Sequence, residues 1–222
     1  MTTAAFDGPR TREWIRRFAD SVYATEAELT ALDQRAGDGD FGTNLATGVR
    51  AAGLLLDRTD ESAGPAETLG TMATAFLDEI GGTSGPLFGL LFQALSRAAA
   101  DSGPGLTTAA LADGTAQGLA AIRRVGDASP GDKTLVDALD PAAAALRAAG
   151  TAPPATALAT AADGAWRGVR DTASLSARMG RASYLGERAT GIPDPGAVGI
   201  ALFFASAAGT VPALGPHLRP TG

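Results

Sequence analysis

The sequence predicts an all-α bundle or barrel of about eight helices. Three observations predict it. Apolar residues recur at helical spacing along nearly the whole chain, no run of β-branched residues with period two appears, and the connections are short and rich in Gly, Pro and Asp. At 222 residues the chain can bury a full core as one domain or as two small ones.

Taken in order, residues 10–32 place Trp14, Ile15, Phe18, Val22, Leu29 and Leu32 on one face, the mark of an amphipathic helix. A second helix should begin near Thr43 or Asn44, either of which is a good cap. Residues 65–80 read as a third, broken by Gly-Gly-Thr-Ser-Gly-Pro at 81–86. Pro86 fits the first turn of a fourth, running to about Ala100. Four more fit 106–125, 134–149, 155–173 and 196–208. The Ala-Gly-Thr-Ala-Pro-Pro-Ala stretch at 149–155 is the best domain boundary on composition. It reads instead as a helix connection within one domain of 1–222, because the motifs on its two sides complement each other. The tail, 209–222, carries no expectation of order.

Composition narrows the function. A net charge of -6 argues against a generic nucleic-acid partner, which selects for a basic face. No cysteine means no disulfide, thiolate nucleophile or Cys-ligated zinc. The N-terminus lacks the basic start and apolar run of a signal peptide, and no segment offers the ~20 apolar residues of a spanning helix, so a cytoplasmic protein without a membrane partner is the default expectation. The single histidine, His217, lies in the Pro- and Gly-rich tail. A histidine base or His-rich metal site is therefore not expected. Lys133 is the single lysine against 17 arginines, a bias that codon usage alone can produce.

Chemistry concentrates in two segments. Asp33 to Asn44 holds three carboxylates, Asp33, Asp38 and Asp40, on a backbone that Gly37, Gly39 and Gly42 can bend tightly. Clustered carboxylates repel one another and suit a hard divalent cation such as magnesium, which commonly shares its oxygen ligands with phosphate. The competing reading leaves them solvated or capping helices. Near the C-terminus, Gly180-Arg-Ala-Ser-Tyr-Leu-Gly186 precedes Asp194-Pro195-Gly196-Ala197, with Arg181 and Arg188 as added cations or as surface ion pairs. Gly81 to Gly85, leading into a helix with two hydroxyls, is either an anion site or a plain turn. Two motif matches fail. In Gly126-Asp-Ala-Ser-Pro-Gly-Asp-Lys133-Thr134 an aspartate separates glycine from lysine and no strand precedes, so it is not a P-loop. Asp38-Gly-Asp40 continues with Gly42 and Val49 where an EF-hand needs acids.

In this order, Asp-x3-Gly-Asp-Gly-Asp-x-Gly-Thr-Asn, Gly-Gly-Thr-Ser-Gly-Pro-Leu-Phe-Gly, Gly-Asp-Lys-Thr-Leu-Val-Asp-Ala-Leu, Gly-Arg-Ala-Ser-Tyr-Leu-Gly-Glu-Arg and Asp-Pro-Gly-Ala, the sequence resembles the L subunit of dihydroxyacetone kinase over about residues 10–208. The resemblance implies an antiparallel barrel of eight helices holding ADP or ATP at one end through two Mg2+ ions. It implies Asp33, Asp38 and Asp40 as metal ligands, and Gly42, Thr43, Asn44, Thr83 and Ser84 along the phosphates. Gly126 and Leu135 would border the adenine, and Arg181, Asp194, Pro195 and Gly196 would complete the site. Phe41 stands in the nucleotide-binding run where the family usually has histidine, which puts phosphate positioning in question.

The implied activity is phosphoryl transfer from the Mg-bound nucleotide to a short ketose held by a separate K-type subunit. The donor is either exchangeable ATP or a fixed ADP recharged by a phosphotransferase-system phosphocarrier of M type. Two other readings stand beside it: a kinase subunit for another small hydroxy-carbonyl compound, and a non-catalytic nucleotide-binding regulatory subunit. A homodimer is compatible with any of the three.

Overall fold

The computed structural model describes residues 6–78, 84–179, 183 and 189–219. Nine helices lie among the described residues: α1 (Gly8–Ala36), α2 (Phe41–Leu56), α3 (Pro65–Asp78), α4 (Ser84–Asp101), α5 (Thr108–Gly126), α6 (Val136–Ala148), α7 (Pro154–Thr172), α8 (Pro195–Ala205) and the short α9 (Gly215–Leu218). Each helix from α1 to α8 packs on its successor, and α8 packs back on α1. That closed cycle of consecutive neighbours is the expected eight-helix barrel.

Local chemistry sets the helix starts. Asp7, Thr107 and Asp194 cap α1, α5 and α8 by accepting the N–H of Arg10, Ala110 and Ala197. Two boundaries differ from the sequence expectation in ways that matter. Helix α1 continues past residue 32 to Ala36, so Asp33 sits in a helical turn rather than in the loop. Helix α2 begins at Phe41, ahead of Thr43 and Asn44, with Asp40 at its N-cap making no side-chain capping bond. The cause is Asp33, whose Oδ2 accepts from Gly39 N and Phe41 N, both at 3.0 Å, and so supplies the cap from the preceding helix.

The barrel interior is aromatic. Phe18, Phe76, Phe88, Phe92 and Phe203 meet edge-on or tilted, with centroids 5.0–6.4 Å apart. Trp14 stacks on Phe203 and donates its indole N–H to the Phe203 carbonyl at 2.7 Å, fastening the start of α1 to the end of α8. Helix α8 is apolar all round and buried from Ala197 to Phe204, as a helix enclosed on every side must be. Val211 N donates to Ser21 Oγ and Leu214 N to the Glu28 carboxylate on α1, while His217 stacks on Trp166 of α7 at 4.5 Å. Residues 211–217 thus span α1 and α7, the two neighbours of α8. No described helix is long and apolar enough to cross a membrane.

Two helix pairs approach through glycine. On α5, a Cβ at Gly114 or Gly118 would crowd the Cα of Leu95 or Leu91 on α4. On α7, a Cβ at Gly168 would fall on the carbonyl oxygen of Asp137 in α6, and one at Gly164 on that of Pro141. Pro141 lies inside α6 and has no N–H, so the Asp137 carbonyl lacks its i+4 donor and is free to face α7.

Candidate functional site

Antiparallel winding brings the starts of α2, α4, α6 and α8 and the ends of α1, α3, α5 and α7 to one end of the barrel. Four helix N-termini, each the positive end of a helix dipole, therefore converge there. A cavity of about 240 Å³ opens at that end. Its two halves differ in chemistry.

The acidic half is built by α1 and α2. Asp33 is 8% exposed, whereas Asp38 and Asp40 are exposed, and one ligand oxygen from each lies within 4.8 Å of the others. Burial pushes the Asp33 carboxyl above its usual range, and the negative charges of Asp38 and Asp40 push the same way against the bonds from Phe41 and Gly39. The turn needs its glycines: Gly39 has φ +83°, and a Cβ at Gly37 would meet Asp33 Oδ1. Three hard oxygen donors, two facing solvent, fit a divalent cation of the magnesium class.

The other half is apolar, lined by Leu87, Ile122, Ala128, Leu135 and Met179. Its rim is the 127–135 loop, which Asp137 clamps by accepting from Gly131 N at 2.5 Å and Thr134 N at 2.8 Å. Thr134 Oγ1 accepts from Val136 N in return, a reciprocal pattern related to the capping box. A flat heterocycle suits this recess, and anionic oxygens suit the acidic half once a cation is present.

Asp194 faces the cavity from the start of α8. Its Oδ2 accepts from Ala197 N at 2.7 Å, and its own N–H donates to Thr172 Oγ1 at 2.9 Å. Burial pushes its carboxyl up to about 7, opposed by the Ala197 bond and the Lys133 ammonium and reinforced by Asp137 and Asp33. Burial conversely pushes Lys133 down, with Asp194 and Asp137 opposing. A carboxyl raised in the folded state favours folding fully below its unfolded value of 3.8, and that contribution is lost as pH rises through about 7. Asp194→Asn keeps the cap. It should therefore gain on the order of 2 kcal/mol relative to the ligand-free wild type between about pH 4 and pH 8, read by denaturant melts; parallel pH profiles for the two proteins would refute the assignment.

Of the residues expected at the site, Asp33, Asp38, Asp40, Phe41, Asn44 and Ser84 line the cavity. So do Gly126, Leu135, Asp194, Pro195 and Gly196. Gly42 and Thr43 do not: Gly42 packs against Glu26 and Thr30 of α1, and Thr43 is exposed beside an outer groove with Tyr23. On α2 these two positions lie on the side of α1 rather than among the cavity-lining residues. Thr83 and Arg181 fall outside the described residues. Phe41 is 5% exposed and its ring packs toward Phe88, 6.4 Å away, so it floors the acidic half from the core side. Sequence reasoning missed Lys133, Thr134, Asp137 and Met179. The Thr134-x-x-Asp137 spacing was a legible signal of the clamp.

The sequence matches the model of the DAK2 domain over residues 35–209. It is 40% identical over 205 residues to an L-erythrulose 1-kinase of Mycolicibacterium smegmatis, covering 92% of this chain and 34% of that protein. It is 34% identical over 194 residues to the ADP-binding subunit DhaL of the PTS-dependent dihydroxyacetone kinase of Lactococcus lactis, covering 87% of this chain and 93% of that one. The crystal structure of the dihydroxyacetone kinase from C. freundii in complex with AMP-PNP and Mg2+ superposes with TM-score 0.68 at 28% identity, over 89% of this chain and 33% of that one. The chain thus spans about a third of the erythrulose kinase and nearly all of the separate DhaL subunit.

Proposed function

The chain belongs to the DAK2 domain family, and from that premise we propose that it is the nucleotide-binding, phosphoryl-donating subunit of a short-ketose kinase. The observation that carries this reading is the union, in one cavity, of a three-carboxylate cluster with an apolar recess, at the barrel end where four helix N-termini converge. Asp33, Asp38 and Asp40 would hold two magnesium ions, and Leu87, Ile122 and Leu135 would hold the base of ADP or ATP. When bound, magnesium would neutralise charge on the polyphosphate and polarise its terminal group.

The chain's own contribution is positioning. Asn44 and Ser84 supply neutral polar groups to the cavity wall. Phe41 excludes water from the cavity floor, and Asp194 can hold or release a proton near neutral pH. The single histidine is committed to the stack on Trp166 and is not a lining residue of the cavity. A ketose acceptor would therefore be presented by a K-type partner, and it would be of the size of dihydroxyacetone or erythrulose, the substrates named in its relatives. The donor mode follows one of two routes, exchangeable ATP or a resident ADP recharged by a phosphocarrier.

Calorimetric titration of the nucleotide-stripped chain with ADP and ATP, with Mg2+ and then with chelator, tests the reading. Magnesium-dependent binding of both nucleotides with fast exchange is expected for direct ATP use, and tight ADP binding with slow release for the relay. Absence of binding by either would overturn the proposal and leave a regulatory scaffold as the better account.

A further inference from the structure

Lys133 is the one lysine in an arginine-rich chain, and the fold buries it to 1% exposure at the cavity wall. Its backbone has φ +60°, a left-handed conformation that residues with a side chain rarely adopt, so the surroundings hold it there. Nζ donates to the Thr172 carbonyl at 2.5 Å and to the Ile192 carbonyl at 2.6 Å. Thr172 is the last residue of α7, where carbonyls lack helical donors and a cation meets the negative end of the dipole. Ile192 stands two residues before Asp194, the cap of α8.

One ammonium therefore joins three segments that reach the site separately: the loop ahead of α6, the end of α7 and the start of α8. Thr172 is gripped from two sides, since its carbonyl takes Nζ while its hydroxyl accepts the Asp194 N–H. An ammonium presents its donors from a single point and suits two converging carbonyls, whereas the flat fork of arginine needs a wider, planar arrangement. Loss of the ammonium would strip Ile192 of its donor and release the 192–194 segment from the 127–135 loop.

We propose that Lys133 is the positioning residue of the nucleotide site, fixing Asp194 on one wall against Thr134 and Leu135 on the other. The inference rests on the nucleotide reading above. It assigns Lys133 no contact with the ligand: the residue acts through the walls it joins, and through the charge it sets beside Asp194, which Asp137 and Asp33 also face.

The test compares wild type, Lys133→Met, Lys133→Arg and Lys133→Cys by calorimetry with Mg2+ and ADP across pH, with thermal melts in parallel. Because the chain has no cysteine, Lys133→Cys can be aminoethylated at one site in denaturant and refolded, restoring an ammonium of near-native reach. Lys133→Met is expected to weaken ADP binding by about 10- to 100-fold, as loss of a group that orients ligand-holding residues does, while helix content persists. The pH dependence of affinity should move upward, because the Asp194 carboxyl loses its neighbouring cation. Aminoethylated Lys133→Cys should recover both affinity and pH profile, whereas Lys133→Arg, which keeps the charge but not the single-point donor, should fail to recover affinity. Affinity and profile equal to wild type in folded Lys133→Met, or aminoethylation that restores the melt without the affinity, would overturn the inference. Should Lys133→Met fail to fold, the treated and untreated Lys133→Cys proteins decide by the same criterion. A wild type that binds no nucleotide overturns the nucleotide reading itself and the inference with it.

Discussion

Asp38→Ala and Asp40→Ala are expected to abolish magnesium-dependent nucleotide binding while leaving the barrel folded. Both carboxylates are exposed, and Asp40 makes no capping bond that its loss would break. In the metal-free protein they repel each other and Asp33: two like charges at 4.8 Å cost about 1 to 3.5 kcal/mol between the limits of water and a protein surface. Removing one should leave the apo protein as stable as before or slightly more so. Removing a ligand should weaken Mg-nucleotide binding by more than the roughly 10- to 100-fold typical of groups behind the ligands. Asp33 requires a gentler change, because its Oδ2 also anchors Gly39 N and Phe41 N. Asp33→Asn keeps one carbonyl oxygen for both N–H groups and deletes the charge, so it should bind like the two alanine variants yet melt near wild type. Calorimetry with thermal melts reads both properties. Wild-type affinity in Asp38→Ala or Asp40→Ala would refute the metal assignment.

The pattern of what the sequence disclosed has a physical cause. The Asp33–Asn44, Gly131–Leu139 and Asp194–Ala197 motifs fall at connections at one barrel end, where backbone must turn tightly and present polar atoms; glycine and aspartate at such turns are local signals. The helices were legible for a related reason, since each must turn an apolar stripe inward. What stayed hidden depends on distant partners. Nothing near Asp33 in the chain says that its carboxylate will cap α2, so the start of α2 was placed near Thr43 or Asn44, two to three residues late. Lys133 bonds carbonyls 39 and 59 residues away, and its φ of +60° runs against local preference. The tail carries little periodicity, yet residues 211–217 dock on α1 and α7 through partners far away in the chain.

Gly168→Ala is expected to cost about 3 kcal/mol of stability and, in addition, to weaken nucleotide binding by the protein that remains folded. The added methyl would coincide with the Asp137 carbonyl oxygen. Backbone on both helices leaves no side-chain rotation to relieve the overlap, so α6 must move away from α7. Asp137 would move with it, and the same residue's carboxylate holds Gly131 N and Thr134 N at the cavity rim. A packing change on the far side of α6 thus reaches the base recess through one residue. Gly53→Ala supplies the contrast: Gly53 lies inside α2 with nothing within 4 Å of its added Cβ, and alanine there should stabilise by about 0.8–1 kcal/mol through helix propensity alone. Denaturant midpoints should move in opposite directions for the two variants. A Gly168→Ala protein that melts like wild type would refute the α6–α7 contact. One that is destabilised yet binds nucleotide with native affinity under folding conditions would refute the link through Asp137 and leave the glycine as a matter of helix packing alone.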